Sequence, residues 1–316
     1  MATKTVVLTG ASSGLGLAVA KILAQKSSFQ IVAGVREPAR AEPLRHVVPE
    51  SRLKVFSVDL ASLAQVAAFA DDVVRHTGSG NIAGVACIAG VQTITADRFS
   101  ADGFELTFAV NHLAHHLLMR KLMPHVDRGA KIIYVGSGTH DPNEIGARKY
   151  GFRGARYTSA KELARGDADT AASVRQRGLD RYATSKLCNI VCCYEWARQI
   201  DPATAQFIAF DPGLMAGTGL ARDYTLVQRL AWNYLLPVMA TFMKGASTPA
   251  RAGAVLAELL QGTRADGRSG VHLNCKGQDI PSSADTHRLN IGRDLFAGSD
   301  ELIQSLIPRT SEVPEK

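Results

Sequence analysis

The sequence predicts an α/β fold in which one doubly wound parallel sheet of about seven strands carries helices on both faces. Apolar runs of strand length alternate with helical patterns, several of those runs are continuously apolar, and a glycine-rich turn follows the first run directly. Strands that are buried on both faces give continuous apolar runs, and their alternation with helices implies parallel crossovers.

Seven apolar runs are predicted as strands, and helical spacing separates most of them. The strands are KTVVLT, QIVAGV, LKVFSVD, IAGVACIA, KIIYVGS, AQFIAF and VHLN, in chain order. Apolar residues at three- and four-residue spacing predict helices from Leu15 to Gln25, through SLAQVAAFADDVVRH, through FELTFAVNHLAHHLLMRKLM, from Tyr182 to Arg198 and from Pro249 to Leu260. Because no internal repeat and no Pro- or Gly-rich linker interrupts the pattern, residues 1–316 are predicted to form one domain.

Two segments depart from this alternation. Residues 139–179, a polar stretch after the fifth strand, are predicted to be an insertion, and the residues after Ile307 a terminal tail. The segment from about 213 to 246 contains the most apolar stretch, Leu226 to Met243. Three residues interrupt that stretch: Arg229, Asn233 and Pro237. The segment is therefore predicted to cover an apolar pocket, with packing on a partner subunit or peripheral contact with a membrane as alternatives.

The composition limits the class of protein and of ligand. Hydrophobic residues make up 46% and charged residues 21% of the chain, which is ordinary for a soluble globular protein. The net charge of +7 favours anionic ligands, but no zinc-ligand pattern and no basic run with interleaved aromatic residues points to nucleic acid. The five cysteines match neither a disulfide framework nor a metal site, and no secretory signal opens the chain, so a cytoplasmic location is predicted.

A glycine-rich turn connects the first strand to the first helix. Glycines permit a tight turn and the close approach of a pyrophosphate, and the start of a helix supplies free N–H groups and the positive end of its dipole. Because the turn TGASSGLG lies between a strand and a helix, it predicts a dinucleotide site. The residues predicted to form it are Gly10, Ser12, Ser13, Gly14, Leu15 and Gly16.

The end of the second strand indicates which nicotinamide cofactor is bound. An acidic residue there would bind the ribose 2′-hydroxyl, whereas a basic residue would suit a 2′-phosphate. The strand ends in GVRE, which places Arg36 at this position, with Arg40 near enough to assist and Glu37 as the acidic competitor. The predicted cofactor is therefore NADP(H).

Two tyrosines are each followed four residues later by a lysine: Tyr157 with Lys161, and Tyr182 with Lys186. On a helix, residues i and i+4 share a face, so either pair could place a phenol beside an ammonium group. A fixed positive charge lowers the pKa of a phenol beside it, and such a tyrosine can exchange a proton near neutral pH. The motif alone leaves both pairs as candidates for catalysis.

The order of the motifs resembles that of the short-chain dehydrogenase/reductase family over nearly the whole chain. The matching residues are the glycine turn, Asp59-Leu60, Asn111, Ser137, and Tyr182 with Lys186. Within the family, VNHLAHHLL, SKLCN and PGLMAGTGL resemble the retinol dehydrogenases and the light-dependent protochlorophyllide oxidoreductases. The insertion and Lys244-Gly245 favour the protochlorophyllide branch.

This resemblance implies a Rossmann-type fold and a role for each motif residue. Tyr182 would be the general acid in reduction, Lys186 would lower its pKa and hold the nicotinamide ribose, and Ser137 would donate a hydrogen bond to the substrate oxygen. Asn111 would position a water molecule that links Lys186 to solvent. The cofactor site would be completed by Asp59, Leu60, Ala89, Gly90, Pro212 and Gly213, together with Tyr182 and Lys186.

The segments that follow the two tyrosines favour Tyr182 as the catalytic one. In the family, a long helix, a strand and a Pro-Gly turn follow the catalytic tyrosine. Tyr182 is followed by a helical pattern, by AQFIAF and by Pro212-Gly213, whereas Tyr157 is followed by a polar stretch without a strand. Tyr157 and Lys161 are therefore predicted to belong to the insertion and to shape the substrate entrance.

Some positions depart from the family pattern. Ile88 stands where an asparagine usually braces the central strand, and Gly217 stands where a threonine is usual, with Thr218 one place later. Cys188 is predicted to pack in the interior. Three histidines lie in a helical pattern that has no matching acid or cysteine, so helix packing or a solvated face is predicted rather than a metal site: His112, His115 and His116.

The leading functional prediction is an NADPH-dependent oxidoreductase that transfers a hydride to a bulky apolar carbonyl or alkene substrate. The first alternative is light-dependent reduction of protochlorophyllide, in which the hydride goes to a ring double bond. The second is a non-catalytic NADP-binding regulator, against which the presence of both Ser137 and Tyr182 argues. Because the family often forms dimers or tetramers, a homo-oligomer is also implied, although the insertion could block one interface.

Overall fold

Seven parallel strands form one sheet in the computed structural model, which describes residues 4–167, 173–215 and 246–306. The strands are Thr5–Thr9 (β1), Gln30–Val35 (β2), Leu53–Ser57 (β3), Ile82–Cys87 (β4), Val126–Val135 (β5), Ala205–Asp211 (β6) and Val271–Asn274 (β7). They lie side by side in the order β3-β2-β1-β4-β5-β6-β7, and every neighbouring pair is parallel. The predicted fold class is confirmed.

The strand order reverses between β1 and β4, which pair with each other. The chain runs from β1 outward to β3, then crosses back to place β4 on the other side of β1. In open α/β sheets, ligands bind outside the carboxyl ends of the strands at such a reversal. The glycine turn after β1 and the Ala89-Gly90 turn after β4 both lie at this edge.

Helices follow most of the strands. Their bounds are Gly14–Lys26 (α1), Glu42–Val47 (α2), Leu63–Thr77 (α3), Leu106–Phe108 with Ala109–Leu113 and Ala114–Leu122 (together α4), Ile145–Arg148 (α5), Ala160–Arg165 (α6), Val174–Gln199 (α7), Pro249–Gln261 (α8) and Leu289–Gln304 (α9). The middle part of α4, Ala109–Leu113, is a π-helical turn. Hydroxyl side chains cap several of these helices: Ser62 accepts a hydrogen bond from Gln65 N, and Thr248 accepts one from Arg251 N.

Both faces of the sheet are covered by helices, as predicted. Along β1, Val7 points into the hydrophobic cluster that contains α3, α4 and α7, whereas Val6 and Leu8 point into the cluster that contains α1 and α8. This alternation follows from the two-residue period of a strand. Because both faces are buried, all five residues of β1 are buried, which explains its continuous apolar sequence.

The predicted insertion is shorter than the sequence indicated. It contains α5 and α6, but α7 begins at Val174, eight residues before Tyr182, so the prediction that Tyr182 opens this helix is wrong. Ser173 caps the helix by accepting a hydrogen bond from Gln176 N at 3.2 Å. The first two turns of α7 are polar because Gln176 and Asp180 bind the insertion and because Arg177 and Arg181 pair with Asp97 after β4. These polar residues conceal the helical periodicity.

The last described helix, α9, was not predicted. It buries Leu295 and Phe296 against α7 and α4, and its small residues permit close packing. A Cβ atom on Gly298 would lie 2.7 Å from Ala160 Cβ. The helix is also fixed by polar contacts, because Asp300 Oδ1 lies 2.9 Å from His116 Nε2 in α4. It therefore joins α4, α7 and the insertion.

Some predictions concern residues that lie outside the described part of the chain. These are most of the proposed substrate-covering segment, with Gly217, Thr218 and Lys244-Gly245, and the tail after Ile307. The described ends of that segment, Leu214–Met215 and Ala246–Ser247, form a separate parallel pair. Among the helices of residues 4–167, 173–215 and 246–306, none combines the length and apolar character that a membrane crossing requires.

Candidate active site

The glycine turn has the conformation that its sequence predicts. Gly10 and Gly14 have φ angles of +69° and +53°, in the left-handed region that favours glycine. A Cβ atom on Gly16 would lie 2.8 Å from Ala11 Cα, and one on Gly10 would lie 3.0 Å from Ala89 N, so side chains would collide with neighbouring backbone. The turn after β1 and the turn after β4 are therefore in close contact.

The start of α1 suits an anionic group. The helix begins at Gly14, its N-cap residue Ser13 makes no side-chain capping bond, and its first turn contains no acidic residue. Ser13 is exposed and Ser12 half-buried, whereas Leu15 packs into the core. The free N–H groups and the helix dipole at this end fit the pyrophosphate of a dinucleotide.

A buried threonine and histidine brace the two turns. Thr9 Oγ1 accepts hydrogen bonds from Ile88 N at 3.0 Å and from Ala89 N at 3.2 Å, and it lies 3.0 Å from His115 Nε2. The other ring nitrogen, His115 Nδ1, lies 3.0 Å from Asn111 O. Because a carbonyl oxygen only accepts, Nδ1 carries the proton, and Nε2 accepts the Thr9 hydroxyl.

This histidine is neutral in the folded protein. Burial and, to a smaller extent, the positive charge of Lys186 lower the pKa of His115 to about 4, although the hydrogen bond to Asn111 O opposes the shift. His115 thus supports, through Thr9, the turn at Ile88, the position where an asparagine is usual. Sequence reasoning assigned His115 only to helix packing, and the departure at Ile88 was the available signal for this contact with Thr9.

Two arginines lie where the sequence placed the cofactor-selecting group. Arg36 follows β2 directly, and its Nε lies 3.8 Å from Glu37 Oε1; Arg40 Nε lies 2.9 Å from Glu37 Oε2. All three side chains are roughly half exposed. Glu37 therefore neutralises only part of the positive charge at the end of β2, and an anionic group could still be bound there.

Asp59 and Leu60 follow β3, next to this strand end. Asp59 Oδ1 accepts a hydrogen bond from Ala61 N at 3.0 Å, and Asp59 N donates one to Gln65 Oε1 at 3.0 Å. Leu60 is buried in the core. The Asp59 carboxylate therefore shapes its own turn at the edge of the predicted cofactor site.

Tyr182 and Lys186 lie one turn apart in α7 and are both buried, with 7% and 3% of their surface exposed. Lys186 Nζ lies 5.5 Å from the centre of the Tyr182 ring and donates a hydrogen bond to Val135 O at 3.1 Å. Burial lowers the pKa of Lys186 to about 8, while the Asp211 carboxylate opposes the shift. At pH 7 this lysine is therefore still protonated, and it places a positive charge beside a phenol.

Asn111 and Gly90 adjoin this pair. The Asn111 side chain accepts a hydrogen bond from Val91 N at 2.7 Å and donates to Val91 O at 3.0 Å and to Ser185 Oγ at 2.9 Å. A Cβ atom on Gly90 would lie 3.2 Å from Asn111 Oδ1 and 3.7 Å from Lys186 Nζ. The Asn111 amide thus fixes the turn after β4 to α7, and a water held by Asn111 stays a prediction.

Ser137 lies two residues beyond the end of β5, at the same edge of the sheet. Its Oγ accepts a hydrogen bond from Thr139 N at 3.3 Å and caps a short 3₁₀ turn, Gly138–His140. The backbone at Ser137 is also fixed by a side chain, because His140 Nδ1 lies 2.6 Å from Ser137 O. A hydroxyl that accepts from the backbone keeps its own proton for donation.

The strand β6 ends at Asp211, directly before the Pro212-Gly213 turn, and sequence reasoning missed this carboxylate. Asp211 Oδ1 accepts a hydrogen bond from Gly213 N at 2.8 Å, and Gly213 has a φ angle of +74°. Burial raises the pKa of Asp211, although the charge of Lys186 opposes the shift. An acid directly before the Pro-Gly turn was the only sequence signal for this electrostatic partner of Lys186.

The second tyrosine–lysine pair lies in the insertion and contacts α9. Because α6 begins at Ala160, Tyr157 precedes the helix and does not share a helical face with Lys161. Tyr157 Oη donates to Asp294 Oδ2 at 2.5 Å, and Lys161 Nζ lies 2.5 Å from Glu301 Oε2. Both partners lie in α9, so this pair fastens the insertion to α9, and a role in shaping the substrate entrance stays a prediction.

The other two histidines of α4, His112 and His116, serve packing, and so does Cys188, as predicted. His112 Nε2 lies 3.0 Å from Ser299 Oγ, and His116 pairs with Asp300. Burial lowers the pKa of both histidines and raises that of the fully buried Cys188 thiol. Within the part of the chain that the structure describes, no three His, Cys, Asp or Glu side chains are grouped to hold a metal ion.

Comparisons of the sequence with known proteins agree with this geometry. Residues 4–167 match the family model described as short chain dehydrogenase. The chain is 31% identical over 270 residues to protochlorophyllide reductase B, chloroplastic, of Hordeum vulgare, with 82% of this chain and 67% of the relative covered. It is 32% identical over 273 residues to protochlorophyllide reductase of Avena sativa, with 81% of this chain and 84% of the relative covered.

Other relatives extend beyond the matching region. The chain spans 65% of the length of protochlorophyllide reductase A, chloroplastic, of Arabidopsis thaliana, to which it is 32% identical over 269 residues, 81% of this chain. About a third of that protein therefore has no counterpart in the alignment.

Solved structures share the fold. An uncharacterized protein from Mycobacterium Paratuberculosis superimposes with a TM-score of 0.65 at 23% identity, covering 96% of this chain and 94% of that one. A short-chain dehydrogenase/reductase from Serratia marcescens gives a TM-score of 0.60 at 19% identity, covering 87% of this chain and 97% of that one. At these identities the likeness concerns the fold alone.

Proposed function

The chain belongs to the short-chain dehydrogenase family, whose members are oxidoreductases that bind a nicotinamide cofactor, and we propose that it is an NADPH-dependent reductase. Its substrate in this proposal is a bulky apolar compound with a carbonyl group or a conjugated double bond. The observation that carries the proposal is the buried pair of Tyr182 and Lys186, with the Lys186 ammonium 5.5 Å from the phenol ring centre.

Tyr182 acts as the general acid and gives its proton to the substrate oxygen. The Lys186 charge favours the phenolate that remains, which makes proton transfer easier near neutral pH. Because burial lowers the pKa of Lys186 to about 8, its ammonium can release and recover a proton close to physiological pH. Ser137 donates a hydrogen bond to the same substrate oxygen and stabilises the charge that develops there.

The cofactor site is formed by residues at the carboxyl edge of the sheet. The glycine turn fits a pyrophosphate, and Arg36 with Arg40 fits a 2′-phosphate, which favours NADP(H) over NAD(H). Lys186 would hold the nicotinamide ribose, and the turns at Gly90 and Gly213 would contribute to the nicotinamide site. A bound nicotinamide supplies the hydride.

A second candidate is the light-dependent reduction of protochlorophyllide. Relatives at 31% and 32% identity over about four fifths of the chain carry the name protochlorophyllide reductase, which favours this candidate. In this case the hydride goes to a ring double bond rather than to a carbonyl carbon, and a photon is required. The same Tyr182 and Lys186 would deliver the proton.

The two candidates are separated by one set of assays on the purified protein with NADPH. Aromatic and isoprenoid aldehydes are incubated in darkness, and protochlorophyllide is incubated in darkness and in light. We expect oxidation of NADPH with at least one aldehyde in darkness and no conversion of the pigment. A chlorophyllide-like absorbance that appears only in light would establish the second candidate instead. Tight NADPH binding without turnover of any of these compounds would contradict both and favour a non-catalytic regulator.

A further inference from the structure

The insertion brings an aromatic ring to the catalytic tyrosine. The centre of the Phe152 ring lies 6.0 Å from that of Tyr182, and the two ring planes are inclined by 47°. Phe152 is half-buried, and neither ring belongs to the two hydrophobic clusters that form the core. Core packing therefore does not account for the position of Phe152.

The backbone on both sides of Phe152 is bound to α7. Before it, Gly151 O accepts a hydrogen bond from Gln176 Nε2 at 3.2 Å. After it, the Arg153 guanidinium pairs with Asp180, a carboxylate that is 1% exposed and also accepts from Gln176 Nε2 at 2.8 Å. Since α7 also contains Tyr182, the insertion cannot move far relative to the catalytic phenol without removing the partner of a buried carboxylate.

The same insertion is bound to the Ser137 turn. Ala155 N donates to His140 O at 2.9 Å, and His140 Nδ1 lies 2.6 Å from Ser137 O. Arg156 N donates to Thr184 Oγ1 at 2.8 Å, one residue before Ser185 in α7. The insertion is thus bound both to the turn that carries Ser137 and to α7, which carries Tyr182, and its Phe152 ring lies against the Tyr182 ring.

From this arrangement we infer that Phe152 is a specificity-determining residue, a side wall of the substrate site that selects planar conjugated substrates. The inference rests on the proposed function of Tyr182 and Ser137. A ring held beside the proton donor offers an apolar π face or edge, which stabilises an aromatic or polyene group in offset or edge-to-face contact. A saturated substrate of similar size gains burial from the same wall but lacks the ring–ring contribution.

The test compares a planar aldehyde with a saturated one. Dissociation constants of 2-naphthaldehyde and of its saturated counterpart, decahydronaphthalene-2-carbaldehyde, are measured by calorimetry with NADP⁺ present, which cannot donate a hydride, and kcat and KM are measured with NADPH. The variants are Phe152→Ala and Phe152→Leu, with Phe99→Ala as the matched control, because Phe99 is 53% exposed. Tyr182→Phe serves as the variant without the proton donor.

We expect wild-type protein to prefer the naphthyl compound, and Phe152→Ala to weaken its binding by roughly two- to tenfold. Decahydronaphthalene-2-carbaldehyde should lose less affinity than the naphthyl compound in Phe152→Ala, Phe152→Leu, which keeps an apolar wall, should weaken binding of the naphthyl compound alone, and Phe99→Ala should resemble wild type. Equal effects on both aldehydes, no preference in the wild type, or a loss of kcat with unchanged binding would each overturn the inference. The last result would mean that Phe152 only supports the Tyr182 ring.

The same measurements distinguish a failure of this inference from a failure of the proposed function. If the binding preference depends on Phe152 but Tyr182→Phe keeps full turnover, the inference stands and the role of Tyr182 falls. If Tyr182→Phe loses turnover while Phe152→Ala leaves the preference unchanged, the reverse holds.

Discussion

Lys186 and Lys161 occupy the same four-residue spacing but have different surroundings. Lys186 is buried with Nζ on Val135 O, whereas the Lys161 side chain is 57% exposed and pairs with a carboxylate that is 59% exposed. Burial lowers the pKa of Lys186 to about 8, which brings its proton exchange close to neutral pH. Burial of the lysine therefore distinguishes the two Tyr-x-x-x-Lys pairs, which share the same spacing in the sequence.

At Arg36, a single substitution tests the choice of cofactor. Arg36→Ala should weaken NADPH binding by about tenfold, or about 1.4 kcal/mol, because a half-exposed cation that faces the 2′-phosphate is lost. NADH binding should change by less than twofold. Fluorescence titration of both cofactors measures this, with Arg45→Ala in α2 as the exposed control. Equal weakening of both cofactors would mean that Arg36 does not contact the 2′-phosphate.

His115 provides a second test at this scale. His115→Leu removes the acceptor of the Thr9 hydroxyl, whose alternative acceptor, Ala86 O, lies at 3.4 Å. We expect the free energy of unfolding to fall by about 1–3 kcal/mol in urea titrations, because buried polar groups lose their partner. The exposed His46→Leu should change it by less than about 0.5 kcal/mol. A His115→Leu variant as stable as wild type would show that the Thr9 contact contributes little.

At the scale of elements, α7 is the part on which the site depends. It carries Tyr182 and Lys186, holds the insertion through Gln176 and Asp180, and packs at Gly178 against the chain that follows β4. A Cβ atom on Gly178 would lie 2.8 Å from Thr93 C and 2.9 Å from Ile94 Cα. The absence of a side chain at Gly178 thus sets how closely α7 approaches this segment.

Gly178→Ala should therefore destabilise the protein although alanine favours helices. Helix propensity would contribute about 1 kcal/mol in favour of alanine, but the backbone of Thr93 cannot yield as a flexible side chain would. We expect the melting temperature to fall by several degrees in calorimetry. The control is Gly146→Ala in α5, where the new Cβ atom would meet only the end of the Glu144 side chain. Equal melting temperatures for both variants would contradict the close packing.

How well an element could be predicted from the sequence depended on the residues that it buries. The strands were predicted because both faces of β1 and its neighbours are buried, which forces continuous apolar runs. The start of α7 was missed because Gln176 and Asp180 are polar for tertiary reasons, namely their pairing with the insertion. The helix α9 was missed although Ile291, Leu295 and Phe296 give it an apolar face, which the small residues Gly292, Gly298 and Ser299 share.

At the scale of the whole molecule, topology brings the candidate site together. Gly10, Asn111, Ser137, Lys186 and Gly213 are far apart in sequence, yet all lie at the carboxyl ends of strands or in helices that pack there. Their motif order was enough to predict their assembly, because a doubly wound sheet has one such edge. The contacts of His115, Asp211 and Phe152 were not predictable, since each depends on side-chain packing between distant segments.

Two buried histidines make the stability of the whole fold depend on pH. Burial lowers the pKa of His115 to about 4 and that of His272 to about 3, whereas in an unfolded chain both lie near 6.5. Below pH 6.5 the unfolded chain therefore binds more protons than the folded one. Their stabilisation is fully present above pH 6.5 and is lost as the pH falls toward 4.

We expect the free energy of unfolding to decrease between pH 7 and pH 4.5, with His115 contributing on the order of 3 kcal/mol. The raised pKa of Asp211 acts in the opposite direction. Urea titrations at pH 7, 5.5 and 4.5 measure the slope, which His115→Asn should reduce and the exposed His46→Asn should leave unchanged. A slope that His115→Asn does not alter would contradict a neutral buried His115.

The central claim is that Tyr182, and not Tyr157, is the proton donor. The direct measurement is the NADPH-dependent turnover of the best aldehyde by wild type, Tyr182→Phe and Tyr157→Phe, with NADPH affinity determined in parallel. Tyr182→Phe should lose at least about a hundredfold in kcat with nearly unchanged NADPH binding, because only the acidic hydroxyl is removed. Tyr157→Phe should keep its turnover, since its hydroxyl binds Asp294 in α9. Full activity in Tyr182→Phe, or its loss in a folded Tyr157→Phe, would contradict this assignment.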